Sequence, residues 1–269
     1  MTEDLWSGTY VEPAVWDETA RALLALADLR PGMRALDVGS AGGGTMFPAL
    51  DRIGDAGSIV GIEVEKDWVE WLQKEIAERG IGNAENLLMN GQSMSFPDDA
   101  FDVVIMGMVG LDEDYDFETE TIINEAPLMR EVYRVLKPGH FLYNSNWLWQ
   151  DDNEWMGELV RKHLPDCRKR GYFPGTEEGY VQLLASVGFE EIRVTSFKGH
   201  YTFEDPAEWM ACICHSWEEE LERIKSSPEI LPTFERDALA LLAEHTDDEG
   251  HLTYMRSAIL LATRKPPAL

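Results

Sequence analysis

The chain has 269 residues, 44% of them hydrophobic, enough to bury a full core as one large domain or as one domain with an inserted cap. Its 50 acidic against 23 basic residues leave a net charge of −27, which argues against a nucleic-acid partner, because binding a phosphate backbone relies on cationic contacts. The surplus is spread along the chain and reads as a solvated surface or an adaptation to a salt-rich setting. Cys167, Cys212 and Cys214 imply neither a disulfide framework nor a zinc site, and no apolar run approaches the ~20 residues of a membrane span. With an N-terminus that lacks the pattern of a signal peptide, a soluble cytoplasmic protein with no membrane partner is expected.

Apolar residues at helical spacing predict a helix over 13–29, ended by Arg30-Pro31-Gly32. Strands and helices then alternate: a strand over 34–38, a helix over 44–53, a strand over 58–64, a helix over 66–79, and strands over 84–89 and 101–106. A helix over 128–136 stops at Lys137-Pro138-Gly139, and a fifth strand covers 140–146. Such alternation predicts a parallel sheet with helices on both faces. Residues 147–175 break the rhythm and read as a lid. A helix follows over 176–187, capped by Thr176 and stopped by Gly188, then a sixth strand over 190–196. Two or three amphipathic helices occupy 205–245, broken at Ser226-Ser227-Pro228 and Pro232. The last strand, 254–263, is expected beside the sixth as a hairpin whose connection has grown into a helical cap.

Residues 36–44, Leu-Asp-Val-Gly-Ser-Ala-Gly-Gly-Gly, join the first strand to a helix in the arrangement that holds a nucleotide-like cofactor. Glycines let the backbone approach a ligand, and the turn amides with the helix N-terminus supply donors. Asp37 would repel a pyrophosphate but suits a cofactor carrying an amino group and a sulfonium cation. The turn therefore favours S-adenosylmethionine over NAD, although Gly39-x-Ala41-x-x-Gly44 loosely fits the NAD pattern as well.

Four pieces in order carry a family resemblance: the 36–44 turn, with Gly39, Ala41 and Gly43 on the glycine positions; Val60-Gly61-Ile62-Glu63-Val64, a strand ending in a carboxylate; the stretch Asn90 to Asp102; and Arg134-Val135-Leu136-Lys137-Pro138-Gly139. In these the chain resembles the class I S-adenosylmethionine-dependent methyltransferases, especially the type 11 small-molecule group. The resemblance implies a Rossmann-like α/β fold: a seven-stranded, mostly parallel sheet with an antiparallel last strand and a helical cap. The expected parts are an N-terminal lid over 1–30, a cofactor-binding core over 31–146, a lid insertion over 147–175, more core over 176–199, a helical cap over 200–252, and the last strand and tail over 253–269. It also implies a cofactor set of Asp37, Gly39, Ser40, Ala41, Gly43, Glu63, Val64, Asn90, Gly91, Gln92 and Met106. Within it, Glu63 would accept from both ribose hydroxyls and Asn90, in place of the usual Asp, from the adenine amino group.

Ligands of open α/β sheets bind at the carboxyl ends of the strands, which nominates Met108, Asn146 and Trp147 for the substrate. Tyr10, His200 and His215 are candidate bases for an acceptor that must lose a proton. No Asn-Pro-Pro-Tyr or Asp-Pro-Pro-Tyr signature follows the fourth strand, and Ser145-Asn146 stands where a metal-dependent enzyme would place a carboxylate, so no metal is expected. Trp6, Trp147, Trp149, Trp155, Trp209 and Trp217, with the acidic loop 112–116, would suit a pocket for an amine or aromatic acceptor. The expected reaction is methyl transfer to an oxygen or nitrogen of a small molecule. A catalytically silent cofactor-binding scaffold and an NAD-dependent oxidoreductase are the rival readings.

Overall fold

The alternating pattern of residues 15–148 is realised almost element for element. A computed structural model describes residues 5–6, 15–111, 113–116, 119–167 and 175–268, without the side chains of Val15, Trp16 and His215. In chain order the elements are α1 (Val15–Leu26), β1 (Arg34–Val38), α2 (Met46–Ile53), β2 (Ser58–Glu63), α3 (Lys66–Glu78), β3 (Ala84–Leu88) and β4 (Phe101–Gly107). A small hairpin that the pattern did not announce follows, β5 (Tyr115–Asp116) with β6 (Thr121–Ile122), then α4 (Pro127–Val135), β7 (Leu136–Gln150), α5 (Asp151–His163), α6 (Glu177–Val187) and β8 (Glu190–Phe203). The chain ends with α7 (Pro206–Ser216), α8 (Glu218–Lys225), α9 (Leu231–His245) and β9 (Leu252–Arg264). Residues 13–14 of the expected first helix lie outside the described residues.

Two compact units divide the chain. The sheet unit holds 16–148, 175–197 and 258–269, and the helical unit holds 1–15, 149–174 and 198–257. The boundary falls within β7, β8 and β9, each longer than expected from sequence. The supposed lid at 147–175 therefore begins as the end of a strand and continues as α5.

The sheet order is β3-β2-β1-β4-β7-β9-β8, with β9 the antiparallel member. It sits beside β8 as expected, but inserted between β7 and β8. The reason is legible in burial: residues 257–263 of β9 are all buried, as an internal strand requires, whereas β8 is largely exposed over 190–198 and forms the edge. Successive residues of the central strands serve opposite faces. Leu36, Val104, Met106 and Leu142 pack with Met129 and Val132 of α4 and Leu183 of α6. Ala35, Val103, Ile105 and Tyr143 pack with Leu23 of α1, Met46 and Ile53 of α2 and Leu72 of α3.

In the helical unit, Trp209 and Trp217 are almost wholly buried, and the Trp217 indole donates to Asn153 Oδ1 at 2.9 Å. Asp152 and Arg256 form a buried two-point ion pair, with Arg256 Nε donating to Asp152 Oδ1 at 3.0 Å and Nη2 to Oδ2 at 2.5 Å. Removing one member of such a pair leaves a charge in a medium that solvates it poorly. Asp152→Ala is accordingly expected to lower unfolding free energy by about 3–5 kcal/mol, measured by urea denaturation; a loss under about 1 kcal/mol would show that water reaches the guanidinium.

Candidate active site

Every residue expected to hold the cofactor falls in the sheet unit, at the carboxyl ends of β1 to β4. Leaving β1, the chain places Gly39, Ala41 and Gly43 at φ of 71°, 37° and 79°. Alternate left-handed residues explain the glycine spacing, since a Cβ in that region clashes with the following carbonyl. Ala41 tolerates the region at a cost of about 1–2 kcal/mol. A Cβ on Gly39 would stand 2.7 Å from Val109 Cγ2, and one on Gly43 2.7 Å from the Phe47 ring.

The turn is tied to β2. Gly39 N and Ser40 N both donate to Ile62 O, at 2.9 and 3.1 Å. Ala41 N donates to Glu63 Oε2 at 3.2 Å, while Glu63 Oε1 accepts from Val64 N at 2.7 Å and Glu65 N at 3.1 Å. The Glu63 carboxylate thus stands half-buried at the end of β2, its charge met by three backbone amides, with one lone pair, on Oε2, to spare. Val64 beside it is exposed.

Asp37 is fully buried, and Thr45 Oγ1 lies 2.8 and 2.7 Å from its two oxygens, donating to the carboxylate. Burial raises its carboxyl from the ordinary 3.8 to about 7; the Thr45 bond opposes the rise and the Glu63 charge adds to it. Thr45 was missed in the sequence, where a threonine before a helix reads as an N-cap. Its hydroxyl makes no cap bond and serves Asp37 instead.

At the end of β3, exposed Asn90 accepts from Gln92 N through Oδ1 at 2.8 Å, an Asx turn that keeps one lone pair free. Gln92 Nε2 donates to Glu113 Oε2 at 2.8 Å. Gly91 is buried, where a Cβ would stand 2.7 Å from Leu128 Cδ1. Trp68 and Trp71 of α3, each 44% exposed, meet edge to face with ring centroids 6.1 Å apart. A Cβ on Gly42 of the turn would contact both rings, at 3.6 and 3.7 Å.

The other residues expected at the site are placed as follows. Met106 is 0% exposed because β4 is a central strand, so its side chain belongs to the core, and its carbonyl accepts from Asn144 Nδ2 at 3.3 Å. Asn146 is buried and spent on the chain itself, donating to Val109 O at 2.8 Å and accepting from Trp147 N at 2.9 Å. Trp147 is nearly buried, and its carbonyl accepts from the Tyr180 hydroxyl at 3.4 Å. Met108 is half-buried at φ 57°, its amide donating to Ser145 O at 3.0 Å.

In the acidic loop, Asp114 is buried and caps α4, accepting from Leu128 N at 3.1 Å and Met129 N at 2.7 Å, which removes it from any substrate-facing role. Asp112 lies outside the described residues. Trp209 and Trp217 are interior to the helical unit, and Trp6 is stacked on Phe234 there, so these three pack rather than line an open wall. Tyr10 lies outside the described residues, as does the side chain of His215 on α7. His200 is exposed on the helical-unit part of β8. Among the described residues no group of three or more His, Cys, Asp and Glu is placed to hold a metal ion, and no helix is long and apolar enough to cross a membrane.

Strand order and glycine turn, with carboxylates ending β2 and buried in β1, are those of a class I S-adenosylmethionine-dependent methyltransferase fold. A family model described as a methyltransferase domain matches residues 29–238, and the chain belongs to that family. It is 40% identical over 110 residues to nocamycin O-methyltransferase of Saccharothrix syringae, covering 40% of this chain and 39% of that one. It is 28% identical over 120 residues to the ubiquinone/menaquinone biosynthesis C-methyltransferase UbiE of Hydrogenovibrio crunogenus, covering 44% of each. These matches thus span less than half the length of either relative. Among solved structures, phosphoethanolamine N-methyltransferase 2 of Haemonchus contortus, in complex with phosphomonomethylethanolamine and S-adenosylhomocysteine, shares the fold. The TM-score is 0.57 at 16% identity, covering 97% of this chain and 55% of that one.

Proposed function

We propose that the protein transfers a methyl group from S-adenosylmethionine to an oxygen or nitrogen of a small organic molecule. The observation that carries this reading is Glu63: a half-buried carboxylate at the end of β2, linked to the glycine turn through the Ala41 amide. The donor and acceptor set fits the cofactor. Glu63 offers a carboxylate with an open Oε2 lone pair for a ribose hydroxyl, exposed Val64 offers an apolar surface for the base, and Asn90 offers a free lone pair for its amino group. Residues 37–46 contain no lysine or arginine, which suits a cationic ligand better than a pyrophosphate.

When bound, the cofactor supplies an activated methyl group on a sulfonium. The chain's own part is to hold and orient. Glu63, Val64 and Asn90 hold the nucleoside end, and the Asp37 charge favours a cation at the end of β1. In-line transfer then requires only that the acceptor be brought to about 3 Å of the methyl carbon. The relatives and structural neighbours include O-, C- and N-methyltransferases by name. The oxygen or nitrogen reading draws on the first and last, and carbon is the competing outcome.

Calorimetric titration with S-adenosylmethionine, S-adenosylhomocysteine and NAD tests the cofactor, followed by incubation with phenols, amines and a hydroquinone and mass spectrometry for one added methyl. Micromolar binding of the sulfur cofactors with methylation of a phenol or amine is expected. Binding of NAD alone, or of nothing, would overturn the cofactor, and methylation of ring carbon alone would overturn the nucleophile.

A further inference from the structure

We infer that Asn86 is a positioning residue for the glycine-rich turn, reaching it from two strands away; this rests on reading the turn as a cofactor site. In the parallel order β3-β2-β1, Gly61 of β2 is in register with Asn86 on one side and Asp37 on the other. A side chain on β3 meets the residues beyond β1 only by passing over β2, and at Gly61 nothing stands in its way. A Cβ there would lie 2.5 Å from Asn86 Oδ1 and 2.9 Å from Ser40 Cβ. Through this gap Ser40 Oγ donates to Asn86 Oδ1 at 2.7 Å, both residues being 2% exposed.

The ties of residues 39–41 outside the turn otherwise go to the neighbouring strand, at Ile62 O and Glu63 Oε2. Ser40 to Asn86 is the tie that reaches a second strand. Asn86 is itself held, its carbonyl accepting from Gln73 Nε2 of α3 at 2.8 Å. Its Nδ2 is buried and finds no hydrogen-bond partner among the described residues. Reversing the amide would only move the orphan to the oxygen, since one hydroxyl is its sole side-chain contact of this kind. A buried orphan donor costs about 1–3 kcal/mol, and a valine would fill this strand position without it. An amide kept where it costs stability, and bonded to the turn, is there to hold the turn.

The test compares wild type, Asn86→Val, Ser40→Ala and the double variant by amide hydrogen exchange of residues 39–43, thermal midpoint, and S-adenosylhomocysteine titration. Asn86→Val is expected to speed exchange in the turn about tenfold and to raise Kd by a similar factor, with an unchanged or higher midpoint. The double variant should be no worse than either single change, the non-additivity of two groups sharing one bond. A lowered midpoint with wild-type exchange and Kd would make Asn86 merely structural and overturn the inference. Should Asn86→Val fail to fold, Ser40→Ala removes only the hydroxyl and gives the same exchange readout. Faster exchange in variants of a protein that binds no sulfur cofactor would keep the positioning role and overturn the cofactor reading.

Discussion

Glu63→Ala is expected to weaken S-adenosylhomocysteine binding by roughly thirtyfold to a thousandfold, about 2–4 kcal/mol. Two contributions are removed together. One is the carboxylate acceptor that the proposed function assigns to the ribose, where a hydrogen bond to a charged group is worth about 1.5–3 kcal/mol before losses in alignment. The other is the acceptor for Ala41 N, Val64 N and Glu65 N, without which the turn and the end of β2 lose a common anchor. Glu63→Gln separates them, because a glutamine keeps one acceptor oxygen for the amides but loses the charge and the second acceptor oxygen. It should fall between wild type and alanine. Calorimetric titration measures both, and circular dichroism melts check that the fold survives. A change in Kd below about threefold in the alanine variant would remove Glu63 from the cofactor site.

The second large effect is a dependence of cofactor affinity on pH that travels with Asp37. Its carboxyl is held at about 7 in the folded protein, chiefly by burial, against an ordinary value near 3.8 in the unfolded chain. Between those values the folded state carries a proton that the unfolded state has lost. The contribution of Asp37 to stability is therefore full below pH ~4 and is lost as pH rises through about 7. Binding of a cation runs the other way, because it favours the ionised carboxylate. One linked proton makes Kd fall by up to about tenfold per unit from about pH 5 to 7 and level off above. In Asp37→Asn that slope should vanish, affinity should be low at every pH, and the unliganded protein should gain stability above pH 7 relative to wild type. Titrations across this range in buffers of different ionisation enthalpy report the released proton directly. A wild-type Kd flat with pH, or a slope retained in the asparagine variant, would show that another group titrates.

The turn at 36–44 and the carboxylate closing β2 were legible from the residues because both are features of chain-local spacing. A glycine pattern demands alternate left-handed residues, and a strand that ends in an acid presents it wherever that strand ends. The same locality made most element boundaries readable between residues 15 and 135. It failed at β7, where Lys137-Pro138-Gly139 suggests a turn but the strand runs from Leu136 through a register shift between Phe101 and Val103 of its partner. Exposed-looking chemistry was misread for a related reason. Asp114 has the sequence signature of an acidic loop, yet it is buried as the cap of a helix that begins thirteen residues later at Pro127.

By itself the sequence determined the family, the α/β alternation and the acids that close β1 and β2, Asp37 and Glu63, since periodicity, glycine spacing and the placing of acids act within a few residues of one another. Only the tertiary structure decided that β9 lies between β7 and β8, that Met106, Trp209 and Trp217 are core, that Thr45 serves Asp37, and that Asn86 meets Ser40 across Gly61. Those outcomes depend on which strands become neighbours and in what register, and register is settled by the summed burial of whole faces rather than by any one residue.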